Sequence, residues 1–298
     1  MRGFTGTDGM KKKTIAVLSG KGGTGKTFLS VNLACAAQPS LYIDCDAEEP
    51  NGHLFLKPDW ENTKEVKIPL PRVDPALCDG CRECVDFCAF HALAWAANRL
   101  MVFDELCHGC GGCMLVCPKQ AISEENHVIG TVREGVTGGV RVLSGALIPG
   151  EASGIPIIKQ LFQQAEGAAE RIVFIDCPPG SSCMVVESIR SADYCLLVTD
   201  PTRFGAHNLE MVHSLARMMN KPCGAVINKS MGEDDPSLTY CQNNDLPVLM
   251  RIPFDHELAV LNSNAGIAFY EDERFQSMFL TLLETIQKEA ARASAGHP

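Results

Sequence analysis

No stretch of the 298-residue sequence is apolar for the eighteen or so residues that a membrane-spanning helix needs. Basic residues are also in the minority. Lys and Arg number 26 against 36 Asp and Glu, a formal net charge of −10, where a nucleic-acid-binding surface calls for a basic patch. The first ten residues are polar and glycine-rich and lack the apolar centre of a secretory signal, and Lys11, Lys12 and Lys13 run straight into a strand-like segment. The expectation is a cytoplasmic protein with neither membrane nor nucleic acid as partner. A reducing cytoplasm disfavours disulfides, so the fifteen cysteines point instead to metal or redox chemistry.

The cysteines are unevenly placed. Seven are scattered singly, as small buried hydrophobes usually are. The other eight form two copies of one pattern, Cys78-x2-Cys81-x2-Cys84-x3-Cys88 and Cys107-x2-Cys110-x2-Cys113-x3-Cys117, 29 residues apart. This is the bacterial ferredoxin run, in which three thiolates on a tight loop hold three corners of a cubane and the fourth ligand comes from the other run. The pattern assigns Cys78, Cys81, Cys84 and Cys117 to one [4Fe–4S] cluster, and Cys107, Cys110, Cys113 and Cys88 to a second. Gly80, Gly109, Gly111 and Gly112 leave backbone N–H groups free to approach the sulfurs. Structural zinc, the alternative, usually takes two separated cysteine pairs. Ala89 stands where the ferredoxin run has proline, so the cluster served by Cys88 is expected to be the more labile of the two.

Outside this segment, short apolar runs alternate with helical patterns. Strand-like runs occupy Lys13–Ser19, Ser40–Asp44, Arg171–Asp176, Tyr194–Thr199, Cys223–Asn228 and Val248–Ile252; helical patterns cover Lys26–Ala37, Asn208–Met219, Pro236–Asn244 and Phe275–Ala293. The alternation predicts an α/β fold with a doubly wound, mainly parallel sheet. Residues 66–131, introduced by Pro69, Pro71 and Pro75, break the rhythm. They are expected to form a small α+β ferredoxin-like domain inserted into a discontinuous α/β domain of residues 1–65 and 132–298.

Gly20 to Thr27 reads G-x-x-x-x-G-K-[ST] between a predicted strand and a predicted helix. Gly22, Gly23, Thr24 and Gly25 can wrap backbone N–H groups around phosphate oxygens at the helix N-terminus; Lys26 reaches the β- and γ-phosphates, and the Thr27 hydroxyl binds Mg2+.

The additional lysine, Lys21, makes the loop resemble the deviant Walker A motif of the MinD/ParA/Mrp and nitrogenase iron protein superfamily. The resemblance implies that Lys21 crosses a dimer interface to the partner's nucleotide, as an arginine finger does elsewhere. It further implies that Asp44–Asn51 is a switch I stretch in which Asp46 activates the attacking water. Asp176 in Asp176-Cys177-Pro178-Pro179-Gly180 would be the Walker B and switch II carboxylate on the Mg2+ shell. Asn228, Pro253 and Asp255 would flank the adenine. The cofactors so implied are ATP or ADP, Mg2+ and two [4Fe–4S] clusters, in an ATP-dependent homodimer or a heterodimer with a paralogue.

Three functions follow from the resemblance. The first is an ATPase whose dimer switch gates metallocofactor or iron–sulfur cluster assembly or transfer to a partner metalloprotein or a small NifX-like protein. The C-terminal Cys-x-x-Cys of Mrp-type carriers is missing, since Cys223 and Cys241 are too far apart. The second is an ATP-gated donor of low-potential electrons. The third, MinD-like spatial positioning, depends on a basic amphipathic tail, whereas the residues after Ile286 include no bulky apolar side chain. Cys183, seven residues past Asp176, matches one cluster ligand of the nitrogenase iron protein, but its companion has no counterpart, so Cys183 reads as an interface or buried cysteine.

Overall fold

The computed structural model describes residues 12–232 and 234–295. The polar first ten residues and the last three of the tail lie outside them. The chain opens with β1 (Lys13–Leu18), α1 (Lys26–Ala36) and β2 (Ser40–Asp44), and α2 (Gly52–Leu56) then leads into β3 (Asp59–Val73). A small unit follows, built from α3 (Glu83–Phe87), β4 (Leu93–Ala96), β5 (Arg99–Val102), a 3-10 turn at Asp104–Leu106 and α4 (Gly112–Leu115). Strands β6 (Ile122–Thr137) and β7 (Val140–Leu147) bring the chain back. The remainder alternates through α5 (Ile155–Ala165), β8 (Ile172–Asp176), α6 (Cys183–Ile189), β9 (Tyr194–Thr199), α7 (Arg203–Met218), β10 (Cys223–Ser230), α8 (Pro236–Asn243) and β11 (Val248–Pro253). Helices α9 (His256–Ser263), α10 (Ala268–Glu271) and α11 (Glu273–Ala295) close it.

Nine strands make one sheet in the order β11-β10-β9-β1-β8-β2-β7-β6-β3. Pairs from β11 to β7 are parallel, and β7–β6 and β6–β3 are antiparallel. Parallel strands covered on both faces must be apolar on both, and successive side chains must point to opposite layers. In β1, Ala16 and Leu18 face the layer of α5, α6 and α7, while Ile15 and Val17 face α1 and α11. In β2, Leu41 and Ile43 enter the first layer and Tyr42 the second; in β8, Val173 and Ile175 divide from Phe174 in the same way. The same alternation puts Tyr42, Asp44 and Asp176 on the α1 side, where the phosphate loop lies.

Strand β3 is the sheet edge, and β6 follows it from Asp59↔Val136 to Val73↔Ile122. The pairing of β6 with β7 begins only at Gly130↔Leu147. The outer halves, Lys67–Val73 and Ile122–Val128, therefore leave the sheet as a two-stranded ribbon, and the register shifts between Val66 and Lys67 where they depart. Residues 66 and 131 thus lie inside continuous strands, beside that shift. Pro69 and Pro71 sit within β3 and not in a linker, which an edge strand tolerates because its outward N–H groups have no ladder partner to lose.

The ribbon carries the cysteine-rich unit. Its buried apolar centre consists of Cys84, Leu93 and Ile122, with Val73, Val85, Leu100, Val102, Val116, Cys88, Cys113 and Cys117 packed around them.

Candidate functional site

The loop between β1 and α1 holds Gly23 at φ 78° and Gly25 at φ 94°, a left-handed backbone that favours glycine. A side chain at Gly25 would also strike the Asn228 amide. Gly25 occupies the N-cap of α1 and offers no side-chain acceptor, so the first N–H groups of the helix face the loop cavity with the positive end of the helix dipole. Thr24 Oγ1 is buried there without a protein partner. Together these groups form an anion-binding cradle.

Beneath the cradle lies a buried charge cluster. Lys26 Nζ is 2.5 Å from Asp176 Oδ1, with the two side chains 7% and 1% exposed, and it lies 3.5 Å from Thr27 Oγ1. Tyr42 Oη donates to Asp176 Oδ2 at 2.8 Å. Asp44, opposite Asp176 in the sheet register, accepts from the backbone N–H of Asp46 at 3.2 Å and of Gly52 at 3.0 Å. Burial, reinforced by Asp176, pushes the Asp44 carboxyl up to about 8, against the opposing pull of Gly52 and Lys26. Burial raises Asp46 to about 6, opposed by Lys26. Burial opposes the charge on Lys26, but Asp176, Asp44 and Asp46 outweigh it and raise the ammonium pKa. Three carboxyls thus crowd one lysine, and burial and their mutual repulsion raise Asp44 and Asp46 above the ordinary carboxylate range.

The other expected residues of the nucleotide site surround this cluster. Lys21 to Thr27, Asp46, Asn51 and Pro179 line one cavity. Gly25, Asn228, Pro253 and Asp255 line an adjoining one with Phe28, Ile252 and Phe254. Two of these side chains already have partners. Asn228 Nδ2 donates to Thr24 O at 2.8 Å, and Asp255 caps α9 by accepting from Glu257 N at 2.7 Å and Leu258 N at 3.1 Å. Lys21 turns back onto its own chain, 2.5 Å from Asp200 Oδ2 and 5.0 Å from the Phe204 ring centroid. The Lys21 ammonium and Thr202 hold the Asp200 carboxyl below the usual range, against the opposing effect of burial.

Sequence reasoning named Asp44 as the start of switch I without a role of its own, and passed over Tyr42, Asp200 and Lys229, whose Nζ donates to Gly23 O at 2.9 Å. Tyr42 and Asp44 carried a signal, because they share a strand face with the loop helix by period two. Asp200 and Lys229 become visible only when β9 and β10 are brought beside β1.

The eight clustered cysteines collect around two further cavities. One is lined by Cys78, Cys81, Cys84 and Cys117 and the other by Cys88, Cys107, Cys110 and Cys113. Gly109 N donates to Cys107 Sγ at 3.5 Å and Ala121 N to Cys117 Sγ at 3.3 Å. Gly80, Gly109, Gly111 and Arg82 adopt positive φ and turn the loops around the thiols. Cys183, exposed at the start of α6, lines neither cavity, and Cys45 and Cys177 are buried in the α5–α6 layer.

A strand–phosphate loop–helix unit at the carboxyl ends of a parallel sheet defines a P-loop nucleotide-binding protein. Residues 15–265 match the CobQ/CobB/MinD/ParA nucleotide binding domain, and the chain belongs to that family. Two uncharacterised proteins of Methanocaldococcus jannaschii are similar to it. One is 27% identical over 248 residues, covering 82% of this chain and 87% of the relative; the other is 28% identical over 279 residues, covering 92% and 96%. The fold is similar to that of the septum site-determining protein MinD of Pyrococcus horikoshii, solved as its Mg-ADP complex. The TM-score is 0.57 at 19% identity, over 94% of this chain and 98% of that one. Among the described residues no helix is long and apolar enough to cross a membrane.

Proposed function

We propose that the chain is a cytoplasmic ATP-hydrolysing switch whose ribbon-borne unit holds two [4Fe–4S] clusters and whose nucleotide-dependent dimer gates assembly or transfer of a metallocofactor to a partner protein. One observation carries this reading. The eight cysteines surround two cavities in crossed groups of three plus one, and β3, which runs out into the ribbon that bears them, starts at Asp59, just beyond Asn51 and α2.

The donor set suits a cubane. Its four thiolates bind four different irons and stand farther apart than ligands of one ion. Among the described residues no three His, Cys, Asp or Glu side chains converge on a single-ion site. Backbone N–H donors to Cys107 and Cys117 suit thiolate ligands. When bound, such clusters supply one-electron chemistry at low potential, or serve as the cargo.

The chain's own residues have separate tasks. The loop N–H groups and Lys26 bind the phosphates. Thr27 and Asp176 hold the Mg2+ shell, so Asp176 must give up part of its contact with Lys26 when nucleotide arrives. Asp46 orients and deprotonates the attacking water. Asn228 and Pro253 bound the base, and Lys21 leaves Asp200 to reach the partner's nucleotide. Movement of Asp46–Asn51 then passes through five-residue α2 into β3, a switch of the kind set by γ-phosphate and released on hydrolysis.

The test is anaerobic purification followed by reduction and EPR with ATP, ADP or no nucleotide. Two clusters whose signals or partner affinity change with nucleotide are expected; identical behaviour in all three states refutes the gating. Membrane positioning is not favoured, because α11 commits Phe275, Phe279, Leu282, Leu283 and Ile286 to the core.

A further inference from the structure

Tyr42 lies wholly buried in β2, where a phenylalanine would fill the same space. A buried phenol hydroxyl is costly unless it is paired. Here Tyr42 Oη donates to Asp176 Oδ2 at 2.8 Å, while Lys26 Nζ lies 2.5 Å from Oδ1 of the same carboxylate. The Asp44 carboxyl and the Ser30 hydroxyl of α1 are the other polar neighbours of the phenol. Tyr42 lines neither the loop cavity nor the base cavity, so it bears on bound nucleotide through Asp176 and not by touching it.

The same hydroxyl abuts Gly52, the first residue of α2. Any side chain at Gly52 would collide with Tyr42 Oη and the ring edge. The backbone at Gly52 is not left-handed, so glycine is required there by the phenol and not by φ. Gly52 N also donates to Asp44 Oδ2 at 3.0 Å. Next in α2, the His53 ring faces Trp60 at the head of β3 with centroids 6.5 Å apart. The Arg133 guanidinium of β6 lies 4.3 Å over the same indole. Contacts therefore run from the Asp176 carboxylate through Tyr42 and α2 to both strands that extend into the ribbon.

We propose that Tyr42 is a positioning residue of the nucleotide site, which orients Asp176 and passes the state of that carboxylate to α2 and the head of the ribbon. This rests on the reading above that the chain hydrolyses ATP and that nucleotide moves the ribbon. When Oδ1 leaves Lys26, the carboxylate pivots on its bond to Tyr42 and turns Oδ1 toward the nucleotide. The phenol follows the pivot. Because no gap separates it from Gly52, α2 shifts with it, as close-packed interiors transmit displacement and do not absorb it. Switch II thereby reaches the ribbon through α2 as well, beside the direct path from Asp46–Asn51.

The experiment uses the full chain, purified anaerobically and labelled with fluorinated tryptophan. Its two tryptophans are Trp60 and Trp95, and Trp95→Phe assigns the Trp60 fluorine resonance. In the parent this resonance should move when ATP replaces ADP. In Tyr42→Phe, kcat should fall at least roughly tenfold, the scale of one hydrogen bond to a charged group. KM for ATP should stay as in the parent, and the Trp60 resonance should no longer respond although ATP is bound. Gly52→Ala leaves the hydroxyl in place and drives Tyr42 and α2 apart. It should displace the Trp60 resonance without nucleotide, and it carries the test if Tyr42→Phe fails to fold. A full ATP response of Trp60 in Tyr42→Phe, or a Gly52→Ala spectrum identical to the parent's, overturns the proposal. A parent resonance that is the same with ATP, ADP or neither refutes the gating beneath it, a result distinct from a parent that responds and a variant that responds equally.

Discussion

The Lys21 ammonium rests 2.5 Å from the Asp200 carboxylate of its own chain, with the two side chains 23% and 13% exposed. Reaching a second protomer's nucleotide requires breaking this contact. A hydrogen bond to a charged group is worth about 1.5–3 kcal/mol, so weakening it should favour the dimer. Asp200→Asn keeps an acceptor for Thr202 and should lower the ATP concentration needed for dimerisation by roughly tenfold. Lys21→Ala should retain ADP binding and lose the ATP-induced dimer. Size-exclusion chromatography with light scattering across an ATP series checks both. An ATP dimer formed normally by Lys21→Ala would remove the crossing role.

Asp44 and Asp176 face each other across β2 and β8, and both are 1% exposed. Burial first and Asp176 second raise the Asp44 carboxyl from an ordinary 3.8 to about 8. Between those values the folded chain binds more protons than the unfolded one, so its stability falls as pH rises, by at most about 1.4 kcal/mol per pH unit. Nucleotide-free protein should show a higher urea midpoint at pH 5.5 than at pH 8. Asp44→Asn, which keeps an oxygen for the Gly52 N–H, should flatten the slope. Equal slopes for variant and parent would show that Asp44 is not the source.

Asp255 lines the base cavity yet also caps α9. Replacing it by Ala should cost about 1 kcal/mol, the usual loss of an N-cap, and weaken nucleotide binding through the frayed helix. Asp255→Asn keeps the capping oxygen and should preserve both. Thermal melts together with fluorescent ATP titration separate the roles. Normal stability but lost binding in Asp255→Asn would make the carboxylate a direct base contact.

The buried apolar cluster of the cysteine unit is small, made of Cys84, Leu93 and Ile122. A core this small does little to offset the conformational entropy of the ordered unit, so on the cluster reading proposed above bound iron would supply much of its folding energy. Removing iron should strip hydrogen-exchange protection from residues 76–120 and leave β1, β8 and β9 protected. Exchange mass spectrometry before and after chelation reads this directly. Unchanged protection across the unit would show that it folds without metal.

The central strands were legible in the sequence because they are buried on both faces and therefore read as unbroken apolar runs ending in functional residues. Lys13–Leu18, Ser40–Asp44 and Ile172–Asp176 carry the phosphate loop, Asp44 and Asp176 at their carboxyl ends. The cysteine spacing was equally plain, since thiol chemistry fixes it locally. Strands β3 and β6 were not legible. Trp60 to Glu65 shows a largely exposed, polar face, and such a strand has neither an apolar run nor a clean alternation. Helix α7 begins at Arg203, five residues before the periodic pattern at Asn208, because its start is set by the Thr202 cap and not by apolar spacing. The commitments of Lys21 to Asp200, Asn228 to Thr24 and Asp255 to α9 depend on strand order and on partners far away in the chain, which local pattern cannot supply.

The pairing of Val66 with Gly130 brings the two points where the ribbon departs side by side at the sheet edge. A chain cut there and rejoined through an Asn-Gly hairpin turn would complete β3 and β6 as an ordinary edge. The cut would keep the strand order of the host, at the loss of Ile68 and Leu70, which the ribbon contributes to the main apolar core. Units of other chemistry could be grafted at the same junction and inherit the same connection to the segment after Asn51, so the cargo could be exchanged over evolution without rebuilding the engine.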